Sequence, residues 1–279
     1  MTDKRKSILM LIAAGIVWGL SFVVVKNGLD YITPLWQVTG RLGIAFLIIL
    51  LFWHKELRKM NKQTVKRGII LGTIFAASLI FQTVGSQYTT ASKCSFLTVS
   101  YVVFTPFIEI IFLRKKTNFR KIIAVVICMV GMGLLTLNGS FWLALGDGLE
   151  ILCGLFYAIH LIYIDHCEKE IDVLQLHFMQ IITANVICLV LALIFEPLPL
   201  HMGFNGLWCL VYCGIFEILL GFFLQMKGQQ NTNPSLAGIL LSMECVYGCI
   251  FATIFLHDTF TVQMVIGCVM IFISAILES

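Results

Sequence analysis

The sequence predicts an all-α membrane protein whose ten transmembrane helices form two inverted five-helix repeats. Three observations predict it. Hydrophobic residues fill 59% of the 279 positions and charged residues 12%. The mean hydropathy of +0.95 is outside the range of a soluble domain of this length. Ten apolar runs, at 8–25, 35–53, 68–88, 94–113, 120–138, 147–164, 175–195, 206–226, 234–255 and 261–277, reach the length that a spanning helix needs. Finally, two stretches 143 positions apart align without a gap: in Phe81–Ser92 and Leu224–Ser235, the residues Gln82, Gly85, Gln87, Thr89 and Ser92 recur as Gln225, Gly228, Gln230, Thr232 and Ser235.

The same offset places Ile111-Phe112-Leu113 on Ile254-Phe255-Leu256, and an offset of 139 places Gly15 on Gly154, Trp18 on Tyr157 and Leu35 on Leu174. The chain therefore divides into a first repeat, 1–139, and a second, 140–279. Five spans is an odd number, so a repeat that starts inside ends outside and its copy inserts upside down. Duplicated, inverted hydrophobic halves are a sign of secondary transporters, in which exchanging the conformations of the two copies exposes a central site to alternate faces.

The first run follows Lys4-Arg5-Lys6 and is too long for the h-region of a signal peptide, so it stays as a helix; its Gly15-x3-Gly19 suits close packing. The second starts after Pro34 and carries Arg41 roughly 10 Å below its outer end. Arg41 either binds a substrate carboxylate, snorkels, or pairs with a carboxylate on a neighbouring helix. The third contains Gly68-x3-Gly72, another close-packing face, and then Ser78, Gln82 and Ser86 on one side. The fourth carries Ser95, Thr98, Tyr101 and Thr105 before Pro106, which should kink it. Such polar stripes line an aqueous cavity or bond across helix interfaces.

Most of the candidate ionisable groups inside the membrane fall in the second copy. In the sixth run, His160 either relays protons or is a core histidine with satisfied hydrogen bonds. Glu150, like Glu109 in the fourth, is placed near a helix end within reach of interfacial water. Glu244 lies ten residues after Pro234, roughly 15 Å deep and near mid-membrane. Glu217 in the eighth run sits at similar depth, and neither has a Lys or Arg four residues away in its own helix. A carboxyl there marks a proton-coupling or substrate-amine site, or else a neutral hydrogen-bonded brace between helices. Counterparts in the first copy are Tyr101 for Glu244 and Ile74 for Glu217, so the ionisable site is single.

Together with Trp18-Gly19-Leu20-Ser21-Phe22, the junction Gly85–Lys93 leading into Phe96–Pro106 and its counterpart Ser235–Glu244 resemble the EamA branch of the drug/metabolite transporter superfamily over the whole chain. The resemblance implies movement of amino acids, related metabolites or drug-like molecules, often outward. It also implies a cavity between the repeats lined by runs 1, 3, 4, 6, 8 and 9. Candidates for its lining are Trp18, Gln82, Ser86, Thr98, Tyr101, Tyr157, Gln225 and Glu244, with Glu244 and Glu217 as proton-coupling groups. Gln82 and Gln225 are expected at the outer and inner mouths.

No cofactor or metal is expected. The ten cysteines form no Cys-x2-Cys pair, the histidines no His-Glu-x2-His, and no Gly-x4-Gly-Lys phosphate loop is present. The chain reads as a carrier rather than an enzyme, with a small-molecule substrate and the bilayer as partners, as monomer or homodimer. A membrane enzyme or lipid scramblase without a recognisable motif, and a pore-like facilitator, stay open as alternatives.

The net charge of +4 reflects basic loops, so no nucleic-acid partner is inferred. Lys55, Arg58, Lys59, Lys62, Lys66 and Arg67 join runs 2 and 3, and Arg114, Lys115, Lys116, Arg120 and Lys121 join runs 4 and 5, whereas the opposite side holds only Lys26 and Lys93. This bias puts both termini in the cytoplasm of a multi-pass protein of the cell membrane, a bacterial inner membrane. Reporter fusions at Thr117 and Ser279 should therefore report the cytoplasm. Periplasmic activity at either position would exclude the ten-helix topology.

Overall fold

The computed structural model describes residues 3–89, 91–114, 118–136, 145–167, 169–256 and 261–278. The boundary between the expected repeats, the loop residues Lys115 and Lys116 and the C-terminal Ser279 lie outside the described residues. From the N-terminus run α1 (Asp3–Gly28), α2 (Pro34–Arg58), α3 (Lys62–Tyr88), α4 (Ala91–Thr98), α5 (Tyr101–Ile111), α6 (Phe119–Thr136) and α7 (Leu145–Cys167). Then come α8 (Val173–Phe195), α9 (Gly203–Tyr212), a π-helical segment (Cys213–Gly221), α10 (Phe222–Gln229), α11 (Pro234–Leu241), α12 (Glu244–Leu256) and α13 (Val262–Glu278). Among the described residues there is no strand.

Among the described residues, eight helical stretches are long and apolar enough to cross a bilayer: α1, α2, α3, 94–111, α7, α8, 203–229 and 234–251. Only a helix or a closed barrel satisfies its backbone in hydrocarbon, so a chain of this composition spans as helices. The two other predicted runs form α6 and α13, which pack on each other through Gly131, where Gly267 and Met270 approach closely.

Helix starts follow local chemistry. Asn61 caps α3 by accepting from the Thr64 amide at 2.8 Å, Asn233 caps α11 through the Leu236 amide at 2.8 Å, and Asp172 caps α8 through Leu174 and Gln175. α2 starts with Pro34, whose missing N–H costs nothing there, and receives its cap from elsewhere in the chain. The Glu196 carboxylate beyond α8 accepts from the Leu35 and Trp36 amides at 3.0 and 3.1 Å and from the Thr33 hydroxyl at 2.6 Å. A negative group at a helix N-terminus is favoured by the helix dipole, so Glu196 ties two spans together at one end of the bundle.

Two spans tighten at mid-course. Between α4 and α5 the Ser100 amide bonds Leu97 O and the Val102 amide bonds Val99 O; between α11 and α12 the Met243 amide bonds Leu240 O and the Cys245 amide bonds Ser242 O. These are bonds three residues apart, a local 3₁₀ turn of the kind that often marks a hinge. The turns at Val99–Ser100 and Ser242–Met243 stand 143 positions apart, the offset of the sequence repeat. Pro106, expected to interrupt this span, lies inside α5 instead, and the break falls before it.

Both expected glycine faces are close contacts. A Cβ at Gly72 would lie 2.7 Å from Gln180 O on α8, and one at Gly19 would lie 2.7 Å from Tyr247 Cβ and 2.9 Å from Glu244 O on α12. α1 and α12 thus touch backbone to backbone at the depth of Glu244. Gly19→Ala should lower the thermal unfolding midpoint, because overpacking of this kind costs about 1–3 kcal/mol. Gly148→Ala, where nothing lies within 4 Å of an added Cβ, should leave it unchanged. Equal midpoints for the two variants would exclude this packing account.

Candidate functional site

A cavity lies inside the bundle, toward the half where α1 and α3 finish and α7 begins. Its walls come from α1 (Trp18, Ser21, Phe22, Val25), α3 (Ser78, Leu79, Gln82, Ser86), Thr98 of α4, Tyr101 of α5, Cys153 and Tyr157 of α7, Glu217 of the π-helical segment, Phe222 of α10 and Glu244 of α12. These are the six runs that the family resemblance implied. The cavity is narrow, about 40 Å³, room for roughly three water molecules.

Seven of the eight candidate lining residues meet here: Trp18, Gln82, Ser86, Thr98, Tyr101, Tyr157 and Glu244, joined by Glu217. Gln225 does not. It is fully buried in α10, with its amide 3.5 Å from Gln229 Oε1. The stripe Ser78, Gln82, Ser86 both lines the cavity and bonds across or along helices: Ser78 donates to Cys153 O at 3.3 Å and Ser86 to Gln82 O at 2.8 Å. Phe222 was not singled out from the sequence. It packs against Trp18 at 4.6 Å and Phe75 at 4.5 Å between ring centroids, and nothing in the local sequence distinguishes it from the other phenylalanines.

The two mid-membrane carboxyls have different surroundings. Glu244, 3% exposed, accepts from the Tyr101 hydroxyl at 3.1 Å and has no basic partner among the described residues. Glu217 pairs with Arg41: Nη1 lies 2.7 Å from Oε1, while Nη2 donates to Thr83 at 2.8 Å. Arg41 thus takes the third of its possible roles, pairing with a neighbouring helix, and Glu217 has a fixed cationic partner that its own helix did not reveal. Glu217 Oε2 and the Tyr157 hydroxyl, both in the cavity wall, have no hydrogen-bond partner.

The π-helical segment sets the position of Glu217. Its wider turn takes carbonyls out of the regular ladder, and side chains from other helices meet two of them. The Trp18 indole donates to Glu217 O at 3.3 Å and His177 Nε2 lies 3.0 Å from Leu219 O. His160 is a core histidine with one nitrogen bonded, 2.8 Å from Gln180 Oε1, while Gln180 Nε2 lies 2.9 Å from His177 Nδ1.

Two expectations are corrected. Glu150 and Glu109 do not reach interfacial water. Glu150 is fully buried and accepts from Thr98 at 2.8 Å, Cys94 at 3.0 Å and Ser86 at 3.2 Å; Glu109 is 6% exposed and accepts from Ser235 at 2.7 Å. Helix-end positions were read as wet, but here neighbouring helices cover them and supply the donors.

The comparisons with known proteins agree with this architecture. The sequence model of the EamA-like transporter family matches twice, over residues 5–137 and 144–279. An uncharacterized transporter of Archaeoglobus fulgidus is 28% identical over 269 residues, covering 96% of this chain and 84% of its own length. The uncharacterized transporter YoaV of Bacillus subtilis is 24% identical over 274 residues, covering 95% and 94%. A crystal structure of a protein 12% identical in sequence superimposes with a TM-score of 0.80 over 99% of this chain and 96% of that one, and so shares the fold.

Breaking the buried ion pair on one side should be worse than removing it. Arg41→Gln strands the Glu217 charge and should cost about 3–5 kcal/mol, whereas the double variant Arg41→Gln/Glu217→Gln should recover most of that loss. Thermal unfolding in detergent measures both. A double variant no more stable than Arg41→Gln would exclude the pair as described.

Proposed function

The chain belongs to the EamA-like transporter family, and from that premise we propose a secondary carrier that exports small metabolites across the cell membrane by alternating access, coupled to protons. Ten spans in two inverted repeats, 1–139 and 140–279, with both termini cytoplasmic, give this carrier its symmetry. On that topology the cavity lies in the outer half of the bundle.

The observation that carries the reading is the contact between equivalent residues of the two copies. Tyr101 and Glu244, 143 positions apart, share a hydrogen bond of 3.1 Å. Trp18 and Tyr157, 139 positions apart, meet edge to face with centroids 6.0 Å apart. A residue touches its own counterpart only near a symmetry axis, so the cavity sits where an exchange of conformations between the copies would act on it from both sides. Equivalent residues also stand in unequal surroundings: Gln82 lines the cavity while Gln225 is sealed in the other half. Exchange would open the cavity at Gln225 and close it at Gln82.

Glu244 is the coupling group of this cycle. As the cavity carboxyl without a basic partner, it needs either a proton or a cationic substrate to offset its burial, and competition between the two couples their movements. Glu244→Gln keeps the shape and the ability to hydrogen-bond. It should abolish proton-driven accumulation in proteoliposomes while leaving some exchange of labelled substrate. Full pH-dependent transport by this variant at wild-type protein levels would refute the assignment.

A further inference from the structure

Resting on the carrier reading, we propose that the substrate is an organic monocation with a flat apolar body, an arylalkylamine rather than an amino acid. The charged groups of the cavity wall are two, Glu217 and Glu244. Arg41 offsets the first through Oε1, from behind the wall, so Glu244 is the carboxyl whose charge, once deprotonated, no cation among the described residues offsets. Glu217 Oε2 nonetheless remains without a partner in the wall, and so does the Tyr157 hydroxyl, although these residues are only 5% and 6% exposed. Buried acceptors left open in this way are costly unless a donor arrives, and an ammonium group is a donor carrying the missing charge.

The surroundings fit the remainder of such a ligand. Trp18, Phe22, Tyr101, Tyr157 and Phe222 supply aromatic faces and edges around the carboxyls, and aromatic faces attract a cation as well as an apolar ring. Admission of a ring requires these walls to part, as they do in any carrier cycle.

A substrate carboxylate, by contrast, finds no charge to meet. Among the described residues no Lys, Arg or His lines the cavity. Arg41 is held by Glu217 and Thr83, and Lys26, at the end of α1, donates to the carbonyls of Ser86 and Thr89. The hydroxyl and amide donors present, Ser21, Ser78, Gln82, Ser86 and Thr98, are neutral, and two glutamates would repel the incoming carboxylate.

Binding of phenethylamine and of phenylalanine to purified protein, followed by tryptophan fluorescence, tests the inference. The amine should bind at least about tenfold more tightly, since an unpaired buried carboxylate loses that much or more. Glu244→Gln should remove most of the difference, and Trp18→Phe should reduce the fluorescence response. Equal affinities, tighter binding of phenylalanine, or no binding of either would overturn it. Counterflow of both labelled compounds in vesicles separates the two readings: exchange of phenylalanine without the amine leaves the carrier standing and removes the cation site. Amine binding without any exchange does the reverse.

Discussion

Hydrocarbon offers a polar group no water, so nearly every donor and acceptor inside this bundle must be answered by another residue, and much of the architecture follows from that constraint. Serines and threonines facing other helices return their hydroxyls to carbonyls of their own turn, as Ser21 does to Val17 and Thr105 to Tyr101. Glu196 closes the start of α2 from the far end of α8. Glu150, deep between α3, α4 and α7, collects a hydroxyl from each of two helices and a thiol besides. The contacts of Glu196 and Glu150 join separate parts of the chain, so satisfying polarity and fixing tertiary arrangement are one process there.

The Arg41–Glu217 pair is the most demanding case. A guanidinium with no exposed surface must have its charge offset, and Glu217 does so only because the π-helical segment sets its position opposite Arg41. The same segment accepts hydrogen bonds from Trp18 and His177 at carbonyls that a regular helix would have used. Irregular backbone therefore stands beside the cavity, where its freed groups have partners. The two tight turns at 99–100 and 242–243 obey the same rule: each comes immediately before a cavity residue, Tyr101 or Glu244.

The proposed transport cycle adds a requirement that packing alone does not impose, two arrangements of similar free energy. Near-equivalent halves are a physical route to that, because exchanging their conformations yields a state related to the first by a two-fold rotation and of comparable energy. The single carboxyls at 217 and 244, matched by Ile74 and Tyr101, break this equivalence at the cavity. In the proposed cycle this asymmetric charge supplies the proton-coupling group, and the proton gradient sets the direction.

Hydrophobic runs, the 143-residue offset and the basic loops were enough to predict an all-helical membrane protein built on a repeat, while the six runs around the cavity were implied by the family resemblance. These features are legible because each depends on chain-local quantities: length of apolar sequence, internal similarity, and charge per loop. Seven of the eight candidate lining residues meet at the cavity. Gln225 lies apart, because equivalence in sequence does not make two copies adopt one conformation. The partner of Arg41, the burial of Glu150 and Glu109, the π-helical turn at Glu217 and the break ahead of Pro106 were decided by tertiary structure alone. Each depends on which helices become neighbours and on how closely glycines such as Gly19 let them approach. That distance is a property of two surfaces together, and neither stretch of sequence contains it.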